Sequence, residues 1–494
     1  MRETADEVVT VSIFSFRYVF KSNHRARLDM IVGADRVPAQ VRTPPSGAIF
    51  CAPHGDDQTG TGAEASPFQT VDAAVSVAQP GDTIYLRPGQ YPPTDISRSG
   101  EAGARLVVTT LPGEERQAII DGSGVAGNGM TIYGQEHIDI LNLTFRNIIS
   151  QSAVQIGGAN NISVQGCQIY AVDRSAIICH GTNAVKYRDG PDTSIHMANI
   201  LIKGNDCYDC YRLAAGNEVI SIGAGVSNII IEHNHIHDSL QYGIDLKVGV
   251  QDAIVRRNYI WGVKNHAIYL DCAKKFLRRI QVYDNWIWGP GAERVGNTGI
   301  VMAREAEGDA AQSELTDIDI YNNRIFGVRR NGIMAFAHGA NGGDQPLGSI
   351  SNVRIRFNTV YDCGKDSDRE ELRVADWHSG PYAASGVVSG FDVIGNVFWR
   401  PGGAKVNGKQ AMARNPEFTY ADNVETDPGF VDPDVVPAIP AGFLPEITLP
   451  DFSLRAGSAA IGAVSRVHVV SPFETDANGV FRSGGDAGAL SYTT

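Results

Sequence analysis

The sequence predicts an all-β fold of the solenoid kind, a parallel β-helix, and three observations lead there. A short phrase, apolar–x–apolar–x–x–Asn–x–apolar, recurs through the middle of the chain. It stands as IIIEHNHI at Asn234, IVRRNYI at Asn258, VYDNWI at Asn285, IYNNRI at Asn323, IRFNTV at Asn358 and VIGNVF at Asn396. LILIKGNDC adds Asn205, NISVQGCQI puts Cys167 in the same slot, and IDILNLTF extends the series to Asn142. The spacers vary from 24 to 38 residues while the phrase holds, which describes one structural unit repeated with loops of different length. Within each unit apolar residues alternate at strand period between Gly, Asn and Asp turns. One such strand cannot bury its face alone, whereas stacked coils share a continuous core.

Taken in chain order, residues 1–46 form an extension of unknown structure. VVTVSIFSFRYVF is apolar but interrupted, and no charged start, apolar run and small-residue cleavage site follow in order, so no clear signal peptide is read there. In SPFQTVDAAVSVAQPGD, residues Val71, Ala74, Val75 and Ala78 recur at helical spacing and Pro80-Gly81 stops the run, predicting a short helix that covers the open end of the first coil. The β-helix body is expected over 47–400, and 401–494 is read as its closing segment.

Composition excludes some classes. The 494 residues carry 42 basic and 55 acidic side chains, a net charge of −13 that opposes nonspecific nucleic-acid binding. No stretch of 18 apolar residues occurs, so no spanning helix is expected. Seven scattered cysteines make no disulfide framework, and Cys207 and Cys210 read as core thiols.

After each asparagine come a short strand, a connection and a second distinctive strand. Aligning those second strands on inward apolar pairs gives Val154/Ile156, Ile177/Cys179, Ile220/Ile222, Ile244/Leu246, Ile268/Leu270, Ile300/Met302 and Ile333/Ala335. Residues between and after each pair then face outward. One outward column reads Gln155, Ile178, Ser221, Asp245, Tyr269, Val301, Met334; the next reads Gly157, His180, Gly223, Lys247, Asp271, Ala303, Phe336. With coils about 4.8 Å apart, Lys247 and Asp271 are neighbours and Asp245 and Tyr269 lie one step along. Arg304 and Glu305 are expected at the same edge. The bland alternative for Lys247 with Asp271 is a surface ion pair worth about 0–1 kcal/mol.

The block Gly55–Tyr91 and the tail, with ETDPGFVDP, DFSLRAGSAAIGA and GGDAGAL, resemble the opening and closing segments of right-handed parallel β-helix proteins of the pectate-lyase-like superfamily. The resemblance covers roughly 48–494 and is specific for fold, not for reaction, because the superfamily holds lyases, hydrolases, epimerases and inert adhesins. It implies that the second strands line a substrate groove, and that the protein works outside the cell or at its surface.

Three functions follow as expectations. In a polysaccharide lyase acting by β-elimination on a uronate, Lys247 is the base, Arg304 neutralises the substrate carboxylate and Tyr269 returns a proton. Asp245 and Asp271 could then hold Ca²⁺. In an inverting glycoside hydrolase, Asp245 and Asp271, about 8 Å apart, act through a water, with Glu305 able to replace either. In a non-catalytic glycan-binding adhesin, Trp261, Trp286, Trp288 and Trp399 matter more. His180, Lys274, Lys275 and Arg278 are candidate substrate-binding residues, the basic AKKFLRR loop suggesting an anionic ligand.

Overall fold

The phrase found in the sequence is a corner of the chain. The computed structural model describes residues 48–212, 218–289, 298–305, 314–338, 349–364, 369–376, 388–407, 417–480, 482 and 485–492. The expected 1–46 extension lies outside this range, apart from three short strand segments, Val8–Val11, Phe16–Val19 and Ile31–Val32. Among the described residues the chain winds through three long parallel sheets of 13, 12 and 11 strands, here the first, second and third sheet in the order one coil visits them. Each complete coil contributes one strand to each sheet, Ile49–Cys51 and Thr419–Ala421 extend the first sheet at its two ends, and the alternating Ile, Val and Leu side chains fill a single continuous core. The fold is the expected β-helix.

Between the first and second sheets each coil turns through a left-handed residue followed by the repeated asparagine. The left-handed positions are Gly166, Gly204, His233, Arg257, Asp284, Asn322, Phe357 and Gly395, with φ between 54° and 69°. The asparagines that follow stack as a hydrogen-bonded ladder. Asn258 is typical: its backbone N–H and Nδ2 both donate to Asn285 Oδ1 at 3.0 Å, and its own Oδ1 accepts the same pair from Asn234 at 3.1 and 3.0 Å. Its Nδ2 also donates to the Ile231 carbonyl at 2.9 Å. The ladder runs from Asn205 to Asn396 and on to Asn423, with Cys167 N–H donating to Asn205 Oδ1 at its start. The expected first member, Asn142, is displaced by one position. Leu141 pairs with Gln165, so Leu143 fills the slot beside Cys167 while Asn142 takes the left-handed turn at φ 59°.

The predicted short helix α1 spans Val71–Val77, capped by Thr70, whose hydroxyl accepts from Ala73 N–H at 3.2 Å. Its Val71, Ala74 and Val75 join the core at the first coil. At the other end, strands Val406–Asn407 and Thr419–Ala421 still pair with the solenoid beyond residue 400. The tail then folds back along the second sheet. Phe430 and Phe452 pack on its outer face, both against Tyr361 and Phe452 also against Phe326, while Phe473 packs on Tyr321 of the first sheet. All seven cysteines are buried free thiols.

Candidate active site

The third sheet carries the chemistry-bearing columns, through β1 (Val154–Gly157), β2 (Ile177–His180), β3 (Ile220–Gly223), β4 (Ile244–Leu246), β5 (His266–Ala273), β6 (Thr298–Glu305) and β7 (Ile333–His338). Ladder pairing aligns Ile177, Ile220, Ile244, Ile268, Ile300 and Ile333 as one inward row and Cys179, Ile222, Leu246, Leu270, Met302 and Ala335 as the next. Asp245 therefore faces outward between Ser221 and Tyr269. Lys247 follows Leu246, Asp271 follows that residue's partner Leu270, and both keep the same outward side.

Lys247 does not make its closest contact with Asp271. Its Nζ lies 2.7 Å from Glu218 Oε1 and 3.8 Å from Asp245 Oδ2. Glu218 and Asp245 are nearly fully buried, at 2% and 1% exposed, while the Lys247 side chain keeps 26%. Burial alone pulls the Lys247 pKa down, but the charges of Asp245 and Glu218, with Asp271 adding to them, outweigh it and hold the ammonium above the ordinary lysine range. Lys247 is thus a fixed cation among three carboxylates.

Glycine shapes the space beside it. A Cβ at Gly223 would meet Lys247 Cβ at 3.2 Å and its Cγ and Cδ at 4.0 Å, so the missing side chain gives the Lys247 stem room to lie against the strand between it and His180. Burial, and then the Lys247 charge, push the His180 imidazole down to about 4, so it is neutral at neutral pH. An aromatic wall flanks the cluster: the Tyr242 ring stacks on Tyr269 at 5.2 Å, and His266 lies 5.1 Å from Tyr242 and 4.9 Å from Tyr269. Burial, aided by Arg330, pushes His266 down to about 4.

Other predicted residues sit elsewhere. Arg304 pairs in register with Cys272, a core residue, and is itself fully buried, so it lies on the inward side of the strand and not on the face of Asp245 and Lys247. Tyr269 is buried at 4% by its neighbours, which suits packing more than proton delivery. The backbone of Glu305 ends β6, and its side chain is outside the described residues.

The basic loop is an anchor. Lys274 Nζ binds Asp189 at 2.7 Å, Lys275 Nζ donates to the Gly190 carbonyl, and Arg278 Nε donates to Gln251 at 3.0 Å while its guanidinium covers Phe276. Asp189 and Gly190 end α2 (Ala184–Asp189), whose buried Tyr187 presses on Gly225 and Gly249, where only glycine leaves room. The surface tryptophans are also engaged, for Trp261 and Trp288 are buried in the cluster built by the C-terminal tail, and Trp286 and Trp399 pack against it.

The donor set does not fit calcium. That ion takes six to eight oxygen ligands, whereas here an ammonium occupies the centre of the carboxylates, and the described residues form no group of three His, Cys, Asp or Glu able to hold a metal. Sequence reasoning missed Glu218. In EVISIG the strand alternation breaks, Val219 and Ile220 both being buried in the core, and that doublet marks a corner from which Glu218 turns toward Lys247.

Comparisons with known proteins agree with this architecture. Residues 49–225 match the family model described as Pel9A-like, right handed beta helix region. The chain is 23% identical over 353 residues, 63% of its length and 68% of the relative's, to the uncharacterized protein YwoF of Bacillus subtilis. An 82-residue stretch, 16% of this chain and 19% of the relative, is 40% identical to pectate lyase PEL9 of Emericella nidulans. Among solved structures, XylC in complex with xylose superposes with a TM-score of 0.59 at 12% identity, covering 90% of this chain and 98% of XylC. Pectate lyase Pel9A superposes at 0.50 and 14% identity, covering 90% and 96%. Residues 49–225 thus match the Pel9A-like repeat, and the chain as a whole folds as a right-handed parallel β-helix.

Proposed function

We propose that this protein is a carbohydrate-active enzyme that cleaves a polysaccharide or oligosaccharide on the outward face of β2–β5, with hydrolysis as its chemistry. The observation that carries this reading is the Glu218–Lys247–Asp245 cluster, with Asp271 beside it. Two nearly dry carboxylates meet on one ammonium on the outer side of a solenoid sheet, next to an aromatic wall. A stack of this kind needs no charge there for stability, since burying ion pairs rarely stabilises more than apolar packing does. Buried groups with strongly perturbed protonation and named charge partners are more often functional.

Hydrolysis of a glycosidic bond requires a carboxylic acid for the leaving oxygen and a carboxylate for water or the sugar carbon. Glu218, Asp245 and Asp271 supply that inventory. In this reading Lys247 keeps at least one of them ionised, and neutral His180, two coils earlier in the same outward column, orients the sugar by hydrogen bonding. A glycan substrate puts the working site outside the cell or at its surface.

Elimination is the second reading, favoured by the match over residues 49–225 and by the stretch similar to a fungal pectate lyase. Its difficulty is physical. The base must be an unprotonated amine, and the charges of Asp245 and Glu218 hold the Lys247 proton on. Incubation with a panel of polysaccharides tests both chemistries. New reducing ends without ultraviolet absorbance from an unsaturated uronate support hydrolysis; that absorbance overturns it in favour of elimination. Retention without cleavage leaves a binding module.

A further inference from the structure

Resting on the reading of this protein as one that acts on glycans, we infer that the third sheet holds a second sugar subsite away from the Lys247 cluster. There a sugar ring packs on Tyr133 and hydrogen-bonds to Gln155 and His180. Tyr133 ends the strand Met130–Tyr133, which pairs with β1, and it follows the core residue Ile132, so it faces outward. Ladder pairing sets it beside Gly157, and His180, Gly223 and Lys247 continue the same column coil by coil. Tyr133 is 67% exposed, and no other Phe, Tyr or Trp among the described residues is as open. A Cβ at Gly157 would fall 2.6 Å from two atoms of its ring, so the ring leans over bare backbone on the side of His180.

Hydrogen-bonding groups stand beside that ring. Gln155 Oε1 accepts from Asn128 Nδ2 at 2.7 Å, while Gln155 Nε2 has no partner among the described residues. Neither ring nitrogen of His180 has one there, and the neutral imidazole can donate from one nitrogen and accept at the other. An aromatic ring with an amide and an imidazole suits the apolar face and the hydroxyl groups of a sugar. Exposure also favours these earlier coils. Tyr133, His180 and Lys247 reach solvent on every second coil, whereas beyond Lys247 the outward Tyr269, Val301 and Ala303 are buried. Gly157, against which the ring lies, is three coils from Lys247, about 14 Å. That span exceeds one sugar residue, so Tyr133 takes a different residue of the polymer from the one at the cluster.

Retention on native gels loaded with xylan, galactan, arabinan, polygalacturonate or alginate tests the subsite without requiring turnover. At least one polymer should retard the full chain, and Tyr133→Ala should weaken that retention about three- to tenfold. Tyr133→Trp should keep it, because a larger ring supplies the same kind of face. Gly157→Ala should weaken it as well, since the added methyl displaces the ring. The melting temperature of Tyr133→Ala should stay within about 2 °C of the wild type, the side chain being mostly in water. Unchanged retention in Tyr133→Ala overturns the inference, and so does equal loss in Tyr133→Trp or a wild type retained by no polymer. Each is separable from failure of the enzymatic reading, which falls when no polymer of the panel yields products, whatever Tyr133→Ala does to retention.

Discussion

The asparagine corner and the outward face of the third sheet are built by the same stacking rule and put it to opposite use. At the corner, Asn205 to Asn423 repeat one residue coil after coil, and each amide satisfies the next in a closed chain of buried hydrogen bonds. On the third sheet, the same one-coil spacing sets His180, Gly223 and Lys247 in one column and Ser221, Asp245 and Tyr269 in another, no two neighbours alike. Repetition makes a corner that needs nothing further. Variety makes a surface whose groups lean on one another. The corner therefore carries stability, and the sheet face is where the proposed function places selectivity and chemistry.

The sharpest way to break the corner is Asn258→Ala. It removes four hydrogen bonds in a dry environment and strands the Asn234 N–H and the Ile231 carbonyl, while the backbone N–H of residue 258 still reaches Asn285 Oδ1. Each buried group left unmet costs about 1–3 kcal/mol, so a loss of about 3–5 kcal/mol is expected in urea unfolding. Any hydrolytic activity at 25 °C should persist in the fraction that stays folded. A loss below about 1 kcal/mol would show the ladder to be decoration.

The matching change on the sheet face is Glu218→Gln. It keeps the shape, removes the charge nearest Lys247, and is expected to lower kcat by about 10²–10⁴-fold, the range for a positioned acid or base. The melting temperature should move by a few degrees at most, because Asp245 and Asp271 still face the ammonium. Comparable loss of stability with intact turnover would reverse the roles assigned to the two regions.

That division also explains what the sequence makes legible. The ladder and the inward pairs of the third sheet are visible because they repeat at strand period, and an error there is small: Asn142 for Leu143 is one position. Asn423 escapes notice because Glu425 stands where the phrase needs an apolar residue after the asparagine, and Phe418 and Tyr420 replace the usual aliphatic residues ahead of it. The site is legible only where alternation persists, at Asp245, Lys247 and Asp271. Glu218 turns in from a corner where alternation fails, and Arg304 turns inward at the end of its strand. Lys274 and Lys275 meet partners 85 residues earlier in the chain, in α2, which no local pattern announces.

Acid sharpens the comparison, since the corner has amides and the face has ionisable groups. His180 is neutral in the folded state down to about 4, against an ordinary 6.5 when unfolded. Between those values the unfolded chain binds the extra proton, so stability falls as pH drops from 6.5 toward 4 and levels off below. At 1.36 kcal/mol per unit this single group accounts for at most about 3 kcal/mol. His180→Gln should flatten the slope of unfolding free energy against pH over that interval, while Asn258→Ala should lower the curve at every pH without changing its slope. Equal slopes for the wild type and His180→Gln would place the imidazole in water.

The smallest effect is expected where a basic loop looks most functional in the sequence. Lys274→Ala removes a partly exposed ion pair with Asp189, for which surface pairs give about 0–1 kcal/mol. Because α2 is also held by Tyr187, packed into the space left by Gly225 and Gly249, the helix should stay in place. Turnover and KM on the substrate found in the panel should remain within about twofold of the wild type, since the lysine meets Asp189 of the protein's own chain and not the Lys247 cluster. A rise in KM of tenfold or more, specific to Lys274→Ala and relieved by salt, would show the anchor to be a substrate contact, and the sheet face would then extend past β5 into the loop that follows it.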